Sequence, residues 1–315
     1  MNDRQRKGLV IRSTGSWYEI LDEQTNEVLK GRLRGKFKIQ GLKVTNPIAV
    51  GDYVTYEPEK NVEEGTVVIT QILKRENYIL RKSTRKKWHG HIIAANIDQA
   101  MVVATLVMPR TSLGFIDRFL VSAESFRIPA IILFNKEDLL TEEGKALQQE
   151  LMDLYEPLGY KCLSISALNS DNLNELEQTL KGKKTLIAGH SGVGKSTLIN
   201  RLIPDVHQQT NDISTYANKG KHTTTYAEMF LADEEGTFLI DTPGIKELGI
   251  MNVEENELGH YFPEIREAMT ECKFYNCSHT HEPDCHVLDK VRSGEIAESR
   301  YFSYLSILED EDNRR

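Results

Sequence analysis

Between residues 8 and 75, apolar and polar positions alternate in short runs: Leu9-Val10-Ile11, Trp17–Leu21, Val28-Leu29, Tyr53–Tyr56 and Thr66–Thr70. Gly15, Gly31, Gly41, Gly51 and Gly65 separate them. Five short strands in so few residues fit a small closed sheet, and an OB-type β-barrel over residues 1–75 is the first expectation. Residues 76–91 follow neither the strand nor the helix period and read as a mobile linker. From residue 92 the pattern becomes strands alternating with helices, the mark of a mostly parallel α/β sheet. Gln99–Val107, Ala130–Phe134, Lys161–Ile165, Lys184–Ala188, Tyr226–Leu231 and Thr237–Ile240 read as strands. Gly114–Phe126, Glu142–Tyr155, Leu173–Leu180 and the segment from Lys195 to Leu202 read as helices. This α/β unit is assigned to residues 92–250. Residues 251–315 read as helical, interrupted by a polar loop at Cys272–Cys285.

Charge changes the picture of the first part. The net charge of −8 argues against a nucleic-acid partner, yet residues 1–91 hold 18 Lys and Arg against 11 Asp and Glu, a balance of +7 that leaves −15 for the rest. Arg32, Arg34, Lys36 and Lys38 alternate, so in a strand they share one face, with Lys30 and Lys43 close by. Such a face is either simply solvated or a surface for the phosphate backbone, which OB barrels often bind. A second basic run, Lys74, Arg75, Arg81, Lys82, Arg85, Lys86 and Lys87, lies beside Trp88, His89 and His91 and suits RNA, where phosphate contact and base stacking combine. No apolar run reaches the length of a membrane span and no signal-peptide core follows the first residues, so a cytosolic protein with no membrane partner is expected.

The chemistry gathers at strand ends. Gly189-His190-Ser191-Gly192-Val193-Gly194-Lys195-Ser196-Thr197 fits G-x-x-x-x-G-K-[ST], between a strand and a helix as a phosphate-binding loop requires. Its glycines let successive N–H groups converge on a diphosphate, and the helix beginning at Lys195 adds its positive end. Lys195 would reach the β- and γ-phosphates, and Ser196 would ligate Mg²⁺. Asn135-Lys136-Glu137-Asp138 follows another strand. The Asp138 carboxylate can accept from both N1–H and the 2-amino group of guanine, a donor pair that adenine lacks. Ser166-Ala167 follows the next strand, and Asp241-x-x-Gly244 supplies a carboxylate for the Mg²⁺ shell and a glycine N–H for the γ-phosphate. These are the five signatures of a GTPase, but the base-reading motifs precede the phosphate loop. A circular permutation keeps a sheet and its site while moving the chain ends.

In this set and order the chain resembles the circularly permuted GTPases of small-ribosomal-subunit assembly, the RsgA or YjeQ family. The resemblance spans nearly the whole length: barrel, permuted core with Gly-His-Ser-Gly-Val-Gly-Lys-Ser, a Lys-His222-Thr-Thr-Thr225 segment and a C-terminal zinc knuckle. It implies late assembly or maturation of the small subunit, binding to that particle and its rRNA, and GTP hydrolysis to GDP stimulated by it, by a protein expected to be monomeric. In Ras-like enzymes a Gln after Asp-x-x-Gly orients the attacking water. Ile245 stands there instead and cannot do so. The resemblance points to His222 as the replacement and to Thr224 as the residue that senses Mg²⁺, although the sequence admits Thr223 or Thr225. Ile245 leaves open a rival reading, an RNA-binding scaffold with GTP as a slowly exchanging ligand. A metabolic kinase is disfavoured by Asp138.

The four cysteines form no disulfide framework. Cys162 stands alone in an apolar stretch, whereas Cys272-x₄-Cys277 and Cys285 enclose a histidine-bearing loop. Three thiolates and one imidazole make a closed tetrahedral Zn²⁺ site with no place for a catalytic water, hence a structural one. His279, His281 and His286 all lie near enough, and the resemblance selects His279. Lys290, Arg292 and Arg300 read as the solvated face of the helices that follow.

Overall fold

The computed structural model describes residues 6–33, 47–58, 66–82, 90–169, 173–203, 227–242 and 256–309. Five strands, β1 (Arg6–Ser13), β2 (Tyr18–Asp22), β3 (Val28–Leu33), β4 (Tyr53–Pro58) and β5 (Thr66–Ile72), close in the order β1-β2-β3-β5-β4-β1. Only the β3–β5 pair is parallel, and the closure is that of an OB-type barrel. The alternation in the sequence is that of barrel walls: Val10, Tyr18, Ile20, Val54, Tyr56, Val67 and Ile69 fill the interior. Asp22, fully buried, accepts from the Tyr56 hydroxyl and from the backbone N–H groups of Gln24 and Thr25, which fixes the β2–β3 turn.

The segment read as a mobile linker contains two paired strands, β6 (Tyr78–Lys82) and β7 (Gly90–Ala95). A register shift between Ile79 and Leu80 breaks the alternation, and both residues are buried because the ribbon lies between barrel and core. A strand covered on both faces carries no period-2 signal. Arg75, counted in the basic run, is also committed internally. Its Nε and Nη2 each lie 2.6 Å from the carboxylate of the buried Asp52. Gly51, at φ +88°, lets the barrel backbone meet this ribbon, since a Cβ there would overlap the carbonyl oxygen of Ala95. Of the rest of the run, Arg81 and Lys82 belong to β6, whereas Arg85, Lys86 and Lys87 lie outside the described residues, as do Arg34, Lys36, Lys38 and Lys43.

The core sheet runs β10-β9-β8-β11-β13-β12, from β8 (Gln99–Ala104), β9 (Ala130–Phe134), β10 (Lys161–Ser164), β11 (Lys184–Ala188), β12 (Glu228–Leu231) and β13 (Phe238–Asp241). Strands β8, β9, β10, β11 and β13 are parallel and β12 is antiparallel at the edge. The expected strand from Gln99 to Val107 ends at Ala104, where the Thr111 hydroxyl accepts from the Thr105 N–H and the chain turns into a loop. Alternate residues face two helical layers. Ala100, Val102, Ile132 and Phe134 pack on α1 (Leu113–Ser125) and α2 (Glu142–Tyr155). Met101, Val103, Ile131 and Leu133 pack on α3 (Asn174–Leu180) and α4 (Lys195–Leu202). Ser112 and Thr141 cap α1 and α2 through their hydroxyls. Edge strand β12 pairs in turn with β1 of the barrel, so one sheet of 11 strands runs through both units.

The C-terminal part packs α5 (Pro263–Ala268), α6 (His286–Ser293) and α7 (Glu298–Leu308) on the outer side of α1, whose Val121 joins Phe262, Ile265, Val287 and Tyr304. Arg300 does not belong to a solvated face. It is 1% exposed, donates to Asp117 of α1 at 2.6 Å and to Glu264 of α5 at 2.7 Å, and lies over the Tyr155 and Phe262 rings. Tyr155 adds a hydroxyl donor to Asp117 at 2.8 Å. Removing one member of such a set strands buried charge, so Arg300→Met should lower stability to chemical denaturation at neutral pH by about 3–5 kcal/mol. A loss below about 1 kcal/mol would show that these charges do not hold the helices together.

Candidate functional site at the strand ends and a metal cluster

The phosphate loop leaves β11 at Ala188 and enters α4, which Leu198 and Ile199 anchor under the sheet. Gly194 occupies the N-cap at φ 98°, and a Cβ there would overlap the side-chain amide of Asn135. Lys195 curls back over the loop, its Nζ donating to the carbonyl oxygens of Gly189 at 2.7 Å and His190 at 2.8 Å. Burial pushes its pKa below the usual lysine value, and the Asp241 carboxylate opposes that shift. A desolvated ammonium beside the free N–H groups of a helix start suits an anionic oxygen cluster. Ser196 and Thr197 are half-buried in the first turn of α4, Val193 is buried and Ser191 and Gly192 are exposed. The His190 ring packs on Phe115 of α1 with centroids 3.9 Å apart.

Asn135 joins three loops. Its Nδ2 donates to the Val193 carbonyl at 2.8 Å, and its Oδ1 accepts from the Ala167 N–H at 2.9 Å. The Asn135, Ser166–Ala167 and phosphate-loop segments, widely separated in sequence, thus meet at one buried amide. Lys136 takes a left-handed conformation at φ 68° and donates to the Met108 carbonyl, which ties the 105–112 loop to the base-reading end. Burial lowers its pKa, with Asp138 working against that. Glu137 accepts from the Ser164 hydroxyl at 3.0 Å and so braces the turn from below, while Asp138 stands exposed at the rim. The Ser166 hydroxyl is buried with no hydrogen-bond partner among the described residues. An exposed carboxylate after one strand and a buried hydroxyl with no partner among the described residues after the next suit a heterocycle with polar edges.

Asp241 ends β13, opposite Ile187 of β11 and Glu228 of β12. The next residue, Thr242, is buried and its hydroxyl donates to the Ile187 carbonyl at 2.9 Å, which holds the strand end beside the phosphate loop. Glu228 in turn faces Arg12 of the barrel, with Nη1 to Oε1 at 3.7 Å. Burial raises the Glu228 pKa, Glu19 and Asp241 add to the rise, and Arg12 counters it. The sequence reading missed Glu228, Arg12, Met108 and the Phe115–His190 packing. Each depends on strand register or loop closure, which no local motif encodes. Gly244, Ile245, His222 and Thr224 lie outside the described residues.

In the C-terminal part, Cys272, Cys277, His279 and Cys285 converge, their ligand atoms all within 4.8 Å of one another. The His279 Nδ1 lies 3.6 Å from the Cys272 sulfur and 3.5 Å from that of Cys285, and those two sulfurs are 3.9 Å apart. Tetrahedral thiolate–imidazole sites have bonds of about 2.0–2.3 Å, hence ligand separations near these. Tyr301 and Tyr304 donate to the carbonyls of His279 and Ser278, and the Glu282 carboxylate accepts from Ser278 and Thr280, so the loop is held from α7 and from within. The structure singles out His279. The His281 Nδ1 pairs with the Thr280 hydroxyl, and the His286 Nε2 lies 3.6 Å from Glu271. Burial lowers the His279 pKa and pushes the Cys277 thiol up to about 12. Neutral imidazole is the ligating form, and a bound cation would be what draws the protons from the thiols. The cluster fits a divalent metal.

Comparisons with known proteins agree over nearly the whole chain. The profile described as RsgA GTPase matches residues 72–251, and that of the RsgA N-terminal domain matches residues 7–67. The small ribosomal subunit biogenesis GTPase RsgA of Bacteroides fragilis is 48% identical over 306 residues, 97% of each chain. The protein of that name from Cytophaga hutchinsonii is 49% identical, covering 98% of this chain and all of its own. Among solved structures, YjeQ from Thermotoga maritima superposes with a TM-score of 0.78 at 36% identity over 99% of this chain and 100% of its own. YloQ, a circularly permuted GTPase, gives 0.74 at 31% identity over 99% of this chain and 97% of its own.

The metal cluster is open to direct assay. Protein purified without added metal should carry one divalent ion per chain by elemental analysis, and Cys277→Ser should lose it. An ion content unchanged in that variant would show that these four side chains do not form the site.

Proposed function

The chain belongs to the RsgA GTPase family, and on that premise we propose that it is a GTP hydrolase that binds the small ribosomal subunit and its rRNA during late assembly. The observation that carries this reading is the convergence on Asn135 of the base-reading turn, the Ser166–Ala167 turn and the phosphate loop. That convergence builds one nucleotide site from motifs in permuted order, and the relatives bear the biogenesis role in their names.

In this reading Asp138 reads the guanine edge, with the Ala167 turn at its side. Lys195 leaves the Gly189 and His190 carbonyls for the β- and γ-phosphates, a short swing because its ammonium already lies over the loop. Ser196, Asp241 and Thr224 would hold Mg²⁺, and the Gly244 N–H would meet the γ-phosphate. The ion, when bound, neutralises charge that develops on the phosphate oxygens. His222 orients the attacking water, since Ile245 offers no polar group. Zn²⁺ held by Cys272, Cys277, His279 and Cys285 is structural, because four protein ligands leave no open position. The barrel and the basic run between β6 and β7 provide the RNA-facing side.

Turnover is predicted to be slow in the free protein and to rise strongly with mature or nearly mature small subunits, the stimulation weakening as salt increases. His222→Ala should retain GTP and particle binding yet lose roughly a hundredfold of the stimulated rate. Small subunits that leave the rate unchanged at low salt would favour a scaffold that merely holds GTP. Base selectivity is tested separately: Asp138→Asn should weaken GTP and favour xanthosine nucleotides, whose 2-oxo group accepts from the new amide. Equal affinity of the unaltered protein for ATP and GTP would overturn the guanine assignment.

A further inference from the structure

Four charged residues stand in one row across four adjacent strands. Glu19 of β2 pairs with Arg12 of β1, Arg12 with Glu228 of β12, and Glu228 with Asp241 of β13. Residues directly opposed in antiparallel pairs share a face of the sheet, with Cβ atoms about 4.5–5.5 Å apart. The row therefore reads minus, plus, minus, minus, from the barrel wall to the strand end beside the phosphate loop. Arg12 Nη1 lies 3.6 Å from Glu19 and 3.7 Å from Glu228, so one guanidinium is divided between two acids. Glu228 and Asp241 stand directly opposed, and like charges so placed repel unless cations come beside them; Arg12 lies against Glu228, and the Lys195 ammonium interacts with Asp241. The Glu228 side chain is 28% exposed, which leaves its field only partly screened.

We infer that Glu228 is a positioning residue for the magnesium–nucleotide end of the site: its carboxylate deepens the negative potential around Asp241, and the barrel's Arg12 reduces it. Glu228 acts through Asp241 rather than as a ligand. The inference rests on the reading of Asp241 as a metal-bearing carboxylate. It adds a route from the barrel to the nucleotide, because Arg12 and Glu228 form the register pair through which β1 joins the core sheet. A divalent cation near Asp241 repels Arg12 and draws on the same carboxylate, so metal binding loosens the hold of the barrel on β12. By reciprocity, anything that draws Arg12 away tightens the metal by the same factor.

The test is Mn²⁺ binding to the full-length protein–GDP complex, followed by the electron paramagnetic resonance of the free ion, which reads affinity and not turnover. Glu228→Gln should weaken Mn²⁺ roughly three- to tenfold, and Arg12→Gln should tighten it by a similar factor, both effects shrinking at high salt. The opposite signs separate an electrostatic role from a structural one, since damage to the strand pairing would weaken binding in both. Equal Mn²⁺ affinity in all three proteins, or a change of the same sign in both variants, overturns the inference while leaving the nucleotide site intact. Failure of the unaltered protein to bind GDP would overturn the functional reading, and this inference with it.

Discussion

The arrangement of the site hangs on one buried amide. Asn135 holds the phosphate loop through the Val193 carbonyl and the Ala167 turn through its N–H, and it fits only because Gly194 has no side chain. A buried side-chain amide must satisfy both its donor and its acceptor, and leaving either unmade costs about 1–3 kcal/mol. The three loops are therefore set against each other before any ligand arrives. Interactions that need no reorganisation on binding are the ones that count most for affinity and rate. The same amide explains why a permuted chain still forms the site: it links spatial neighbours and is indifferent to the order in which the chain visits them.

Helix α1 is the second organising element, for a different reason. Residues Gly114–Ala123 are all buried, which an amphipathic surface helix would not show. One side packs on the sheet, and the other receives the C-terminal helices through Val121 and the Asp117–Arg300–Glu264 set. Near its start the Phe115 ring lies against His190 of the phosphate loop. Two contacts on one rigid helix thus hold the part with the Cys272–Cys285 cluster in place relative to the Gly189–Ser196 loop.

Much of this was legible in the sequence, and the exceptions share a cause. Glu142–Tyr155 and the barrel strands followed their hydrophobic periods, because each has one wet face and one dry one, and Ala130–Phe134 showed as an unbroken apolar run because both its faces are buried. Asn135, Lys195 and the cysteine loop were legible because their chemistry demands particular residue types at fixed spacing. The ribbon at Tyr78–Lys82 and Gly90–Ala95 was not, since a bulge and burial on both sides erase alternation. Arg300 was not, because a lone arginine on a helix gives no sign of two distant carboxylates. Glu228 was not, because only strand register sets it beside Asp241. Local patterns report local physics, and these three positions are decided by what comes to lie opposite them.

The Arg300–Asp117 contact joins residues 183 positions apart. During synthesis at about 5–20 residues per second, α1 emerges roughly 10–40 s before its ionic partner. Until then Asp117 has the Tyr155 hydroxyl but lacks its ionic partner, and the outer side of α1 awaits the C-terminal helices. The C-terminal helices supply that cover in two steps, Phe262 and Ile265 on Val121 first and Arg300 of α7 on Asp117 last, so the ionic set closes only after the cysteine cluster has been translated.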